Sequence, residues 1–119
     1  MIVGVGVDLV DVARFERSLA RTPRLRERLF TPNEQNVSVR SLAGRFAAKE
    51  ALIKALGGSD GVWWRDVEII SDTSRRPRVV LHNRTLAHVT GRGIDNVHVS
   101  LSHDGGLALA FVVLEGAHD

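Results

Sequence analysis

The sequence predicts an α+β fold in which an antiparallel sheet packs against helices, and three observations carry that prediction. Apolar residues alternate with period two at the start of the chain and again near its end, the pattern of strands. Between them lies a stretch rich in Ala, Leu, Lys and Glu that stops at Gly57-Gly58, as a helix does. The last two apolar runs meet at Asp104-Gly105-Gly106, a turn that makes them a hairpin.

Each element follows in order. Over residues 2–9, Val3, Val5, Val7 and Leu9 share one face of a strand, and Ile2, Gly4, Gly6 and Asp8 share the other. The missing side chains of the two glycines admit either a second backbone or a ligand beside Asp8. No third glycine follows at the spacing of a dinucleotide fingerprint, which removes that idea. A helix begins at Asp11 as N-cap, with Val12, Phe15 and Leu19 as its apolar stripe, and Pro23 interrupts it. Thr22-Pro23 reads as the N-cap and first residue of a short second helix. Thr31-Pro32-Asn33-Glu34 repeats the signal with Glu34 in capping-box position. The third helix runs from about Ser41 to Leu56. Residues 66–71 and 78–82 read as strands around a turn at 74–77, residues 84–91 as a short helix, and Val97–Ser102 and Leu107–Leu114 as the final hairpin. There is no internal repeat, low-complexity segment or linker.

At 119 residues the chain is expected to form one domain, 1–119. A 44% hydrophobic and 25% charged composition excludes disordered and fibrous classes. No apolar run reaches membrane-spanning length, and the apolar start lacks a basic segment and carries Asp8, so neither a secretion signal nor an anchor is read there. A cytoplasmic protein without a membrane partner is expected. The absence of cysteine removes disulfides, thiolate nucleophiles and cysteine zinc sites, leaving oxygen or imidazole to hold any metal. The net charge of +2 conceals its distribution: Arg14, Arg17, Arg21, Arg24, Arg26 and Arg28 fall within fifteen residues, against Glu16 and Glu27. The two lysines, Lys49 and Lys54, flank Glu50.

Glu50 and Lys54 stand four apart on one helix face, which alone describes a surface ion pair of modest worth. Asp8 changes the reading. A carboxylate in mid-strand needs a partner or a cation, and a second carboxylate on a helix packed above it would let the pair chelate a hard cation. Two carboxylates with vacant positions suit Mg²⁺, which completes its shell with water and substrate phosphates, and Lys54 would reach a phosphate oxygen.

GVDLVDVARF at 6–15, RFAAKEALIKALG at 45–57 and VSLSHD at 99–104 resemble the three signature segments of the holo-[acyl-carrier-protein] synthase family in order, spacing and overall length. The stretch from Gln35 to Leu42 is shorter than in many members. The resemblance implies a phosphopantetheinyl transferase-like fold of the small homotrimeric type. It also implies transfer of phosphopantetheine from coenzyme A to a serine of apo acyl carrier protein, with release of adenosine 3',5'-bisphosphate, in the service of fatty acid biosynthesis. It places Mg²⁺ on Asp8 and Glu50, with the coenzyme pyrophosphate supplying further oxygens, and Lys54 near the phosphates. Arg45, Lys49, Gly57 and His103 fall among the coenzyme-binding groups, although His103 reads equally as an exposed turn residue. His82, His88, His98 and His118 carry no such context and are read as structural or surface. Glu50, directly or through a metal-bound water, is the first candidate for the general base, with Asp8 or Glu34 and a water as alternatives.

Arg14, Arg17, Arg21, Arg24 and Arg28 are spaced 3, 4, 3 and 4 apart, and line one face if the two short helices are nearly collinear across Pro23. Such a face suits the acidic helix of a carrier protein. A small nucleic-acid-binding module is the competing class, since a basic stripe is its footprint too. Four Phe, two Trp and no Tyr leave little on which to stack bases, so no nucleic-acid partner is expected. The final strand is apolar on both faces, and one layer of helices covers only one of them. A second copy is the natural cover, so a homo-oligomer is expected; the resemblance alone selects a trimer with active sites between neighbours.

Overall fold

A computed structural model of the chain describes residues 1–117; His118 lies outside the described residues. The elements run β1 (Ile2–Asp11), α1 (Val12–Arg21), α2 (Leu25–Leu29), α3 (Val39–Leu56), β2 (Val67–Ser71), β3 (Pro77–Leu81), α4 (Asn83–Gly91), β4 (Ile94–Asp104) and β5 (Leu107–Gly116), with single 3₁₀ turns at Pro32–Glu34 and Trp64–Asp66. The sheet is not one but two. β1, β5 and β4 form an antiparallel sheet in that order, and β2 and β3 form a separate hairpin. The fold class is therefore the expected α+β.

α3 lies across the three-stranded sheet, and small residues let it come close. A Cβ on Gly6 would sit 2.0 Å from the Ala51 carbonyl oxygen, and one on Gly4 2.3 Å from that of Ala55. The glycines thus admit the helix backbone. Below α3, Ala108, Ala110, Val112 and Leu114 of β5 are buried against Ala43, Ala47, Ala51 and Ala55. The opposite face of the sheet is bare. Val3, Val5, Val7 and Leu9 of β1 are 46–59% exposed, and Leu107, Leu109 and Phe111 of β5 38–42%. Among the described residues no helix is long and apolar enough to cross a membrane.

Element boundaries differ from expectation at several places, among them β4, which starts at Ile94 and not Val97, and three at the helices. Asp11 caps α1 as read, accepting from the Arg14 N–H at 2.9 Å. Thr22, however, closes α1 by donating its N–H to the Ser18 carbonyl, and α2 begins only at Leu25 after Arg24 in a left-handed conformation, φ 72°. A proline after a helix end fits as well as one at a helix start, and here the former prevails. The 3-4-3-4 arginine spacing consequently does not run along one continuous helix. Third, α3 starts two residues early, because Ser38 accepts from the Ser41 N–H and makes the short 35–42 stretch a turn with an N-cap.

Candidate active site

Asp8 sits on the α3-facing side of β1, level with Ala110 of β5, and α3 sets Glu50 and Lys54 above it one turn apart. Lys54 donates to Asp8 Oδ1 at 2.9 Å and to the Val7 carbonyl at 3.1 Å, so its partner is the strand carboxylate and not Glu50. The ammonium remains half exposed. Burial, then the neighbouring Asp8 charge, raises the Glu50 carboxyl above the usual carboxylate range, while Lys54 works against that rise.

These groups open onto a cavity of about 480 Å³ between β1, α1 and α3, whose lining includes Asp8, Glu50 and Arg14. Its aromatic wall comes from Phe15, Phe46 and Trp64, with Phe46 stacked between the other two rings at centroid distances of 5.1 and 5.6 Å. Phe46 and Trp64 went unremarked in the sequence. Phe46 precedes Glu50 by one helical turn and was within reach of the spacing argument; Trp64 arrives from a distant 3₁₀ turn with no local signal.

Among the described residues no group of three or more His, Cys, Asp or Glu side chains converges on a point. Asp8 and Glu50 are the two carboxylates in this cavity that could hold a cation, with an ammonium lodged against Asp8.

Two expected roles are corrected. Lys49 was placed among the coenzyme-binding groups, but its side chain is 1% exposed and donates to the Leu29 carbonyl (2.6 Å), Glu34 Oε1 (2.7 Å) and the Trp64 carbonyl (3.1 Å). All three of its donors are committed inside the protein. Burial pulls its pKa down and Glu34 pushes it back up. Glu34, offered as an alternative base, is equally buried and also accepts from the N–H groups of Thr31 and Ile69. Its burial keeps it out of reach of a substrate hydroxyl.

The remaining candidates spread around α3. Arg45 donates through Nε to the Ile69 carbonyl at 3.1 Å and bonds the Ser41 hydroxyl. Gly57 ends α3 at φ 89°, a conformation that favours glycine, and its neighbourhood is open. His103, on β4, is bonded to the Arg40 carbonyl at 3.0 Å and packs its ring against Gly44. β5 and the width of α3 separate it from Asp8, so one chain does not bring the two together. Arg14 lies in the Asp8 cavity, whereas Arg24 and Arg28 line another; Arg17 and Arg21 are exposed on α1. His82 and His98 each lie 3.0 Å from a glutamate, Glu68 and Glu115, in structural settings.

Residues 4–112 match the 4'-phosphopantetheinyl transferase superfamily. The chain is 64% identical over 115 residues to the holo-[acyl-carrier-protein] synthase of Leifsonia xyli subsp. xyli, covering 97% of this chain and 98% of that protein. The crystal structure of the Neisseria meningitidis holo-[acyl-carrier-protein] synthase superimposes with a TM-score of 0.90 at 33% identity, covering 97% of this chain and 99% of that one. The Helicobacter pylori holo-[acyl-carrier-protein] synthase in complex with coenzyme A gives 0.82 at 32% identity, over 93% and 99% of the two chains.

Proposed function

The chain belongs to the 4'-phosphopantetheinyl transferase superfamily, as a holo-[acyl-carrier-protein] synthase, and from that premise we propose that it moves phosphopantetheine from coenzyme A to a serine of apo acyl carrier protein in a Mg²⁺-dependent reaction. The observation that carries the reading is the convergence of Asp8, Glu50 and Arg14 at one cavity, with Lys54 bonded to Asp8. With an enzyme family established, the alternative of a nucleic-acid-binding module has no observation in its favour.

Asp8 and Glu50 would hold Mg²⁺, whose chemistry is to neutralise charge on the coenzyme pyrophosphate. Lys54, already at the mouth of the site and half exposed, swings from Asp8 to a phosphate oxygen and stabilises charge developing there. The serine hydroxyl oxygen forms a bond to the phosphorus attached to pantetheine, and the pyrophosphate P–O bond breaks with its electron pair leaving on adenosine 3',5'-bisphosphate. Glu50 takes the serine proton as general base. Arg14 at the cavity edge, with Arg17, Arg21, Arg24 and Arg28 beyond it, draws in the acidic carrier protein.

One transferase domain spans residues 1–119. We place it in the cytoplasm and in fatty acid biosynthesis, as a homotrimer with its site between subunits. The bare apolar sheet face supports assembly, and the separation of His103 from Asp8 supports a site that borrows His103 from a neighbour for the coenzyme. The test is mass spectrometry of apo carrier protein incubated with this protein, coenzyme A and Mg²⁺. A gain of one phosphopantetheine is expected; an unmodified carrier refutes the reading.

A further inference from the structure

Trp64 separates two cavities. On the far side from Asp8 lies a second one, of about 560 Å³, floored by Trp63 and Trp64 and rimmed by Arg24, Arg28, Arg65 and Arg84. The rim draws on three places in the chain: α2, the 3₁₀ turn before β2, and the start of α4. Arg84 is held in place. Its guanidinium carbon stacks 3.8 Å from the centroid of the Trp63 ring, which fixes the side chain while leaving its charge at the surface. Trp63 is itself anchored, its backbone N–H donating to the Thr85 hydroxyl at 2.9 Å.

The charge of this cavity is strongly one-sided. Asp66 lines it, but its buried carboxylate is taken up by the Asn83 amide and by the backbone N–H and hydroxyl of Thr85. Glu27 is the one exposed carboxylate set against four exposed arginines in the lining. Trp and Arg together on an open concave surface are the composition of energetically dominant protein–protein contacts.

We propose that the carrier-protein surface extends past Arg24 and Arg28 into this cavity, onto Trp63, Arg65 and Arg84, receiving an apolar side chain of the carrier on the tryptophans while carboxylates around it meet the arginine rim. The proposal rests on the transferase reading above. A carrier that delivers its serine beside Asp8 and Glu50 covers Trp64, and Trp64 is a wall of both cavities. The same α1–α2 segment supplies Arg14 to the first cavity and Arg24 and Arg28 to the second. A protein docking along that segment therefore meets the patch without any change of direction.

Arg84 gives the cleanest test, because it is exposed, stacked on Trp63 and outside the Asp8 cavity, with Asp66 as a charge neighbour. In steady-state assays with intact protein, coenzyme A and Mg²⁺, Arg84→Glu is expected to raise KM for apo carrier protein about tenfold. KM for coenzyme A and kcat should stay at wild-type values. Arg84→Lys, which keeps the charge and weakens the stack, should fall between. Titration of fluorescent apo carrier without coenzyme A should register the same loss as a raised Kd. An active Arg84→Glu enzyme with unchanged KM and Kd for the carrier overturns the proposal, as does an equal rise in KM for coenzyme A, which would make the cavity a coenzyme subsite. If the wild type binds carrier but does not modify it, and Arg84→Glu weakens that binding, the transferase reading fails while the docking patch stands. Absence of carrier binding by the wild type overturns both.

Discussion

The charges of Asp8 and Glu50 repel each other, and Lys54, bonded to Asp8, offsets the resulting rise at Glu50 only in part. Folding therefore favours the protonated form of Glu50, whose carboxyl lies above its unfolded value. The sign of the pH dependence follows: this group's contribution is intact below the unfolded pKa and is lost as pH rises through the folded one. Glu50→Gln removes the loss, so in metal-free buffer it is expected to melt at a higher temperature than wild type at neutral pH, with the difference vanishing in acid. Thermal scans at several pH values check this; a lower melting point at neutral pH would show that the carboxylate is satisfied. The same variant, and Asp8→Ala, should lose nearly all Mg²⁺-dependent transfer. Lys54→Ala should cost about 10²–10³ in kcat, the worth of one well-placed donor to a developing oxyanion, while calorimetric Mg²⁺ binding persists. Asp8 was legible in the sequence because a charge in mid-strand demands an explanation. Glu34 and Lys49 were not, since their pairing depends on where a 3₁₀ turn fifteen residues away comes to rest.

Helix α3 is covered on both sides, by the sheet at its alanine stripe and by α2 and the two 3₁₀ turns at Lys49. That is why its sequence lacks a polar face and why spacing alone could not tell which lysine is solvated. Lys54 is half exposed, while Lys49 pins three separate backbone segments together. Lys49→Ala leaves Glu34 buried without its cation and should cost about 3–5 kcal/mol. Denaturant titration measures it; a change below about 1 kcal/mol, the value of an exposed pair, would mean that water replaces the ammonium. On the sheet side, Gly6→Ala drives a Cβ into the backbone of α3. Backbone yields less readily than a side chain, so a loss of about 1–3 kcal/mol is expected, read as a lower melting temperature. The period-two pattern revealed the strand and its glycine face. It left open whether a ligand or a helix fills the gap, because both need the same missing side chains. Thr22-Pro23 was ambiguous for a similar reason: a proline that cannot continue one helix looks like a proline that starts the next.

At the scale of the molecule, the apolar residues of β5 announced two buried faces, and the strand register decides which of them α3 leaves bare. Val5 pairs with Val113, Val7 with Phe111 and Leu9 with Leu109, giving a continuous apolar patch. On the same face of β4, His98, Ser100, Ser102 and Asp104 bound it with polar groups. Patches beyond about 300–600 Å² rarely stay in water on a monomer, and a polar margin is the usual edge of an interface. Asp8 and His103 both stand on the α3 side of the sheet, on strands separated by β5, and in the proposed oligomer a neighbouring copy would bring them into one site. Phe111→Asp puts a charge at the centre of the patch and is expected to give a folded monomer by light scattering, with transfer activity reduced at least tenfold if the site is shared. Mixing Asp8→Ala with His103→Ala chains tests the sharing directly. In randomly reassembled oligomers, roughly a quarter of the interfaces combine the intact Asp8 of one chain with the intact His103 of the next, so activity should recover to about that fraction of wild type. A fully active 13.0 kDa species would refute the assembly, and mixtures no more active than the two variants alone would confine the site to one chain.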